Sequence, residues 1–469
     1  MSHRPYYARK PRRWPFWLLA IAAVCGIWKY CTTFNPQKLV ENSELKQKTF
    51  SARVVEIVAP KSGIKAYLMT EKSNPIVSMS FIFADSGSAY DEQNLTGLSD
   101  ITSMMLLEGA GKLSRRQFKE TLENYAIDLN YSADKDDFEG KMLSTKENLP
   151  KAAELLRLSL TEPTLDQENL DRLQQQILQS VNRLLEKPEA RLANAVGKII
   201  FGKHPYGIGA EELKKFVKNI KTDDIRSFIK NRLAKDRIYI GIAGDISETE
   251  AENLIDNVFG NLPEQSQTKA LPAEDIKYAA LGQTIIEDNT PQVLFEAVAP
   301  SVPRLSKDFY PLYIANYILG GAGLNSRLNQ AAREKEGLTY GVYTGMELLK
   351  HAPQLVGSFS TTPQNFPRME EIFINEWTNM GNKGITAKEL QSAKNYLQSS
   401  YNLRFADIGT LSAILASMQR EKLGIDFLQK RNGYIEEITL ERVNRVVKKY
   451  FAPDNLAIVS LGQIEQKGN

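Results

Sequence analysis

The sequence predicts an α+β protein made of two tandem homologous units, each a mostly antiparallel sheet with helices packed on one face, behind an N-terminal membrane anchor. Three observations carry this reading. One segment recurs at a long period, strands and helices alternate in blocks, and a single apolar run near the N-terminus is bounded by aromatics. A chain of 469 residues with 25% charged and 42% hydrophobic composition has ordinary globular character and is too long for one core.

The apolar run is the first element. Residues 1–13 form a basic tail containing Arg9-Lys10-Pro11-Arg12-Arg13, and residues 14–31 carry the apolar stretch WPFWLLAIAAVCGIW. About 15 apolar residues at ~1.5 Å each reach ~22 Å, short of a ~30 Å hydrocarbon core. Trp14, Trp17, Trp28 and Tyr30 stand at its ends, where interfacial aromatics extend the reach. The basic cluster in front predicts a cytoplasmic N-terminus. The expected placement is the bacterial inner membrane, single-pass, with the bulk of the chain in the periplasm. A cleaved signal is the alternative, with Ala20-Ile21-Ala22 as a small-x-small site and secretion to the periplasm as its consequence. Residues 32–48 read as a polar linker.

The repeat is the second element. Ile220–Ile246 aligns with Ile438–Ile464, and seven of these 27 positions are identical (Ile220, Lys230, Ala234, Asp236, Ile240, Gly244 and Ile246). Each copy reads as a helix, a turn and a strand ending in Gly. Gly140–Leu156 aligns with Gly357–Phe373 in the same order at nearly the same offset. The units are therefore placed at 49–268 and 284–469, joined by a linker over 269–283. Within the first, strands are expected at Val54–Ile57, Lys65–Met69 and Ile76–Ala84, then helices near Leu98–Leu107 and Ser114–Tyr125. Long polar helices are expected at Leu165–Leu185 and Ala387–Tyr401.

Composition removes several chemistries. Lys and Arg number 59 against 56 Asp and Glu, and six of the basic residues lie in the first 30 positions, so no basic field for nucleic acid exists. The two cysteines are Cys25 and Cys31, so the rest of the chain has no thiol for disulfide, zinc-thiolate or nucleophilic chemistry. Histidines number three: His3, His204 and His351.

Two phrases carry a resemblance. Gly97-Leu98-Ser99-Asp100-Ile101-Thr102-Ser103-Met104-Met105-Leu106-Leu107-Glu108-Gly109 keeps the frame of an inverted zinc motif. Leu319–Leu328 leads into Ala332-Arg333-Glu334-Lys335-Glu336-Gly337-Leu338-Thr339-Tyr340-Gly341. Together with the duplication they resemble the pitrilysin/insulinase-like zinc peptidases, which include mitochondrial processing peptidase. The resemblance covers nearly all of residues 50–466. In that family two His of H-x-x-E-H bind zinc, the Glu is the general base, and a distant Glu is the third ligand. The resemblance places Asp100, Ser103 and Met104 at the first ligand, base and second ligand positions, and Ser180 at the third. No metal is therefore expected in this chain, because a thioether and hydroxyls cannot replace imidazole and carboxylate on zinc. The second phrase implies the opposite: Arg333 and Tyr340 match the family's pair that holds substrate and oxyanion across from the zinc. His204-Pro205-Tyr206-Gly207 resembles a family turn and is read as a loop.

The resemblance thus implies a non-catalytic subunit that supplies Arg333 and Tyr340 in trans. The expected partners are a homologous zinc-binding subunit, a peptide or unfolded protein substrate and, through the N-terminal segment, a membrane. A structural or peptide-binding scaffold of an envelope assembly is the alternative.

Overall fold

Strand placement follows side-chain pattern. Phe138–Thr145 alternates strictly, with Phe138, Gly140, Met142 and Ser144 turned to one core and Glu139, Lys141 and Leu143 to the other face. Ile76–Phe83 is instead buried almost throughout, the mark of a strand covered on both faces. The computed structural model describes residues 53–271, 278–405 and 407–464.

Thirteen strands are described, β1 (Val54–Val58), β2 (Lys65–Thr70), β3 (Ile76–Phe83), β4 (Gly109–Ala110), β5 (Leu113–Ser114), β6 (Asp128–Ala133), β7 (Phe138–Thr145), β8 (Ile238–Gly244), β9 (Gln283–Glu287), β10 (Val293–Pro300), β11 (Val342–Glu347), β12 (Gln354–Thr361) and β13 (Ala457–Gly462). The first sheet has the order β1-β2-β8-β3-β7-β6 and the second β9-β13-β10-β12-β11. Without β1, the two orders correspond strand for strand. Each contains one parallel pair, β2 with β8 and β9 with β13, and is otherwise antiparallel. The fold is mixed α+β.

Each sheet has its own aromatic core. In the first, Phe81 meets Phe259 edge-on at 5.1 Å between ring centroids. In the second, Phe295 stacks on Phe359 at 4.4 Å and Trp377 packs on Phe451 at 4.7 Å. The surrounding helices show the expected spacing: Val443, Val446, Val447 and Tyr450 are the buried face of Leu440–Tyr450. Capping boxes start the helices Arg115–Asn124, Glu248–Phe259 and Ala387–Ser399.

The helices are not confined to one face of each sheet. Pro188–Phe201 lays Leu192, Val196 and Ile200 on Leu294, Val298, Val459 and Leu461 of the second sheet. Its Arg191 binds Asp288 through two bonds of 2.9 and 2.8 Å. Reciprocally, Ile408–Arg420 lies on β8 and β3 of the first sheet. Ser412 Oγ is 2.9 Å from Ser78 Oγ and 2.8 Å from Ser80 Oγ. Gln419 accepts from Ile240 N at 2.7 Å and donates to Lys65 O at 2.9 Å. The reason is packing: both faces of β3 and β8 are apolar or small, so each needs a second cover.

Two expected elements shift. Leu165 has φ +49°, so the long helix starts after it, at Gln167. The other ends at Ser399, where a 3₁₀ segment takes over.

The anchor requires correction. No helix among the described residues is long and apolar enough to cross a membrane. The segment 14–31, to which that span was assigned, lies outside the described residues, as do the tail and linker around it. The single-pass inner-membrane placement, and the periplasmic position derived from it, therefore do not stand.

Candidate functional site

The degenerate motif sits on a short helix, Leu98–Met105, entered through Gly97 at φ +94°. Leu98, Ile101 and Met105 face the first core and hold the helix down, and Met104 packs partly buried against the same core. Ser103 donates its hydroxyl back to the Asp100 carbonyl at 2.7 Å. Ser180, on the adjoining helix Gln167–Leu185, is exposed and receives Arg183 Nη2 at 3.5 Å. Glu108, just past the motif helix, binds Arg115 of the helix Arg115–Asn124 at 2.8 Å and also pairs with Arg172 of Gln167–Leu185.

Asp100 is half-buried, and no hydrogen bond reaches its carboxylate among the described residues. Burial, then the charge of Asp91, pushes it up to about 6, with Lys135 opposing. Lys135 donates to Ile208 O at 2.6 Å, and burial holds its ammonium below the usual lysine range. The four positions offer one carboxyl, two hydroxyls and a core-packed thioether, with no imidazole. No group of three or more His, Cys, Asp or Glu able to hold a metal occurs among the described residues. These residues do not fit a zinc ion. The chain alone should bind no stoichiometric zinc and cleave no peptide; one tightly held zinc with chelator-sensitive cleavage would contradict this.

A second expectation comes from Asp100. Its folded value, about 6, lies above the unfolded value of ~3.9, so the fold favours the protonated form. Stability linked to this group is fully present below pH ~4 and is lost as pH rises through ~6. Asp100→Asn should therefore be more stable than the unmodified chain at pH 8, by on the order of 2 kcal/mol and visible as a higher melting temperature, with no gain at pH 4. Equal melting temperatures at pH 8 would show that Asp100 bears no burial penalty.

Arg333 and Tyr340 are brought together. Arg333 lies in the π-helical turn Gln330–Glu334 and donates Nη1 to the Tyr340 carbonyl at 2.7 Å. Its only carboxylate neighbour among the described residues is Glu334, at 3.9 Å. Glu336 is taken by Arg368 at 2.7 and 3.0 Å. Tyr340 is 86% exposed, and its hydroxyl has no hydrogen bond among the described residues. The surrounding phrase is rigidly held. Asn329 exchanges bonds with the Val342 backbone at 2.6 and 3.3 Å, and Arg327 grips Glu389 at 2.6 and 2.8 Å. Burial alone would raise Glu389, but Arg327 and the Thr386 cap bring it down to about 2. No hydrogen bond or ion pair joins Arg333 or Tyr340 to the motif helix among the described residues.

Sequence reasoning missed a charged junction between the halves. Lys350 N donates to Asp136 at 2.9 Å, the Lys350 ammonium pairs with Asp85, and Arg420 holds Asp137 at 3.0 and 3.1 Å. His204 caps its turn by accepting from Tyr206 N at 3.2 Å; the Tyr206 hydroxyl binds Asp136 and accepts from His351 N at 3.3 Å. The Asp134-Lys135-Asp136-Asp137 run was the available signal. The loop reading of His204–Gly207 agrees with this placement.

Residues 67–211 match the family described as "Insulinase (Peptidase family M16)", and residues 219–397 match "Peptidase M16 inactive domain". The chain belongs to this insulinase family. It is an inactive-type member of that family. A Helicobacter pylori relative named "Non-peptidase homolog YmxG" is 24% identical over 83% of this chain and 90% of its own length. A Pseudomonas fluorescens crystal structure titled as a peptidase M16 inactive domain has TM-score 0.81 and 24% identity, covering 88% of this chain and 100% of that one. The Escherichia coli structure titled "periplasmic protease PqqL" has TM-score 0.71 and 14% identity, covering 88% of this chain but 46% of that one.

Proposed function

We propose that this chain is the non-catalytic subunit of a heteromeric insulinase-like zinc metallopeptidase, completing a partner's active site in trans and helping to bind its peptide substrate. The observation that carries the reading is Arg333 held beside an outward-facing Tyr340, in contrast to the zinc and base positions that the resemblance finds replaced at Asp100, Ser103, Met104 and Ser180. A guanidinium fixed by a backbone carbonyl and a phenol with no hydrogen-bond partner among the described residues can both donate to an oxyanion developing on a second protein. The partner carries H-x-x-E-H and the metal, which polarises the scissile carbonyl and activates water. The substrate is an unfolded segment added as a strand on a sheet edge.

The domain plan belongs to the same proposal. Residues 49–268 and 284–469 are tandem homologous units joined by 269–283, a reading supported by the matching strand orders and the sequence repeat.

A scaffold with no peptidase role is the second reading, favoured by the name of the H. pylori relative. The two separate on binding: the chain mixed with an H-x-x-E-H homologue from the same genome should sediment as a heteromer. Independent sedimentation at micromolar concentration would favour the scaffold.

A further inference from the structure

A cavity of about 740 Å³ lies between the first sheet, the helix Ile408–Arg420 and two loops of the second half, 303–305 and 348–350. The strand registers put two cross-strand rows on the sheet face that lines it, one mixed and one polar. One runs Ile82, Glu139, Ser132; the other runs Ser80, Lys141, Asn130. Strand β6, the outermost of these, is hydrogen-bonded to a strand on one side only among the described residues. At the rim, Leu305 is 63% exposed and Leu348 43%.

Most charges around this cavity are matched; among the described residues Glu139 and Lys141 make no side-chain hydrogen bond or ion pair. Arg420 holds Asp137, the Lys350 amide and the Tyr206 hydroxyl serve Asp136, and Asp134 accepts from Asp136 N and Asp137 N at 2.7 Å each. Arg304 lies 4.1 Å over the Phe309 ring and donates to Tyr310 at 3.2 Å. Lys141 is drawn to the start of the helix, beside Gly409, where the Thr410 hydrogen bonds chiefly, and its charge to a lesser degree, hold Asp407 below the usual carboxylate range. Among the described residues, no hydrogen bond or ion pair reaches the carboxylate of Glu139. Burial, then the charges of Asp134 and Asp137, pushes it up to about 7, and no cation offsets them. An unpaired carboxylate facing a polar cavity is a costly arrangement unless a cation arrives to meet it.

We propose that this cavity binds an aliphatic chain ending in a cation, the lysine or arginine side chain of an extended peptide, with Glu139 as its counter-charge and Leu305 and Leu348 against its methylenes. This rests on the peptide-binding reading above and adds to it a preference for basic residues. A peptide paired along the outer edge of β6 lies two strand spacings from β7, ~10 Å, a span that a lysine and a glutamate side chain close between them. The row Glu139–Ser132 leads directly to that edge.

The test uses the whole purified chain and two ten-residue peptides of alternating Ser and Val. Their centre carries either lysine or norleucine, which keeps the methylenes and removes the charge. Fluorescence anisotropy should show the lysine peptide binding about tenfold more tightly or better. Glu139→Gln should erase that difference and leave the norleucine peptide's affinity unchanged. Ser417→Trp, which fills the cavity from an exposed helix position, should weaken the lysine peptide independently of Glu139. Equal affinities of both peptides for the unmodified chain would overturn the cavity assignment and leave peptide binding standing. So would a lysine preference that survives Glu139→Gln. Titration with 1,5-diaminopentane separates the sources: Glu139-dependent binding of the diamine without either peptide would overturn the peptide as ligand. If neither peptide nor diamine binds, the cavity assignment and the peptide reading both fall.

Discussion

Tyr340→Phe should lower turnover of the assembled complex by about 10²–10³-fold, ~3–4 kcal/mol at the barrier, with its dissociation constant nearly unchanged. The structure makes this substitution clean. Tyr340 is 86% exposed, its hydroxyl bonds nothing among the described residues, and Arg333 meets Tyr340 through the backbone carbonyl rather than the hydroxyl. Removing the hydroxyl therefore costs the fold almost nothing, and a large loss of kcat reports on the reaction. Arg333→Ala should cost a similar factor, but it also releases the carbonyl of Tyr340 and so mixes a local structural effect with the catalytic one. Wild-type kcat in both variants would leave the scaffold reading as the better account.

Gly241→Val should destabilise the chain by about 3 kcal/mol through overpacking between its two halves. Gly241 lies in β8, where the helix Ile408–Arg420 crosses the sheet. A Cβ at this position would fall 2.1 Å from the Ser412 carbonyl oxygen and 2.4 Å from Ala416 N. Both are backbone atoms of a helix, so no side chain can swing aside. The helix must lift, which stretches the Ser412 bonds to Ser78 and Ser80 and the Gln419 bonds to the β2–β8 pair. Denaturant unfolding with an unchanged midpoint would show that this contact does not hold the halves together.

Much of this architecture is readable from local pattern. The alternation of Phe138–Thr145 and the spacing of Val443, Val446, Val447 and Tyr450 each name an element and its buried face. The exchange of helices between the sheets is not readable in that way. An apolar face states that Leu192, Val196 and Ile200 are covered, not which sheet covers them, because that depends on contacts across about a hundred residues or more. The small residues Gly409, Ser412 and Ala416 on Ile408–Arg420 were a clue to close approach, and Gly241 was the matching one.

The site divides along the same line. The assignment of Asp100, Ser103, Met104 and Ser180 to the zinc and base positions rests on residue type and on the resemblance. The pairing of Arg333 with the Tyr340 carbonyl depends on a π-helical turn that no periodicity announces. Glu139 was invisible for a different reason. Nothing in its immediate sequence distinguishes a solvated glutamate on an alternating strand from one facing a cavity closed by the other half.

The most direct measurement is hydrolysis of a quenched peptide by the H-x-x-E-H subunit before and after this chain is added. The account predicts negligible cleavage by either protein alone and full activity at a one-to-one ratio, lost again when the added chain carries Tyr340→Phe. A zinc subunit that cleaves at full rate alone, and does not respond to this chain, would contradict it.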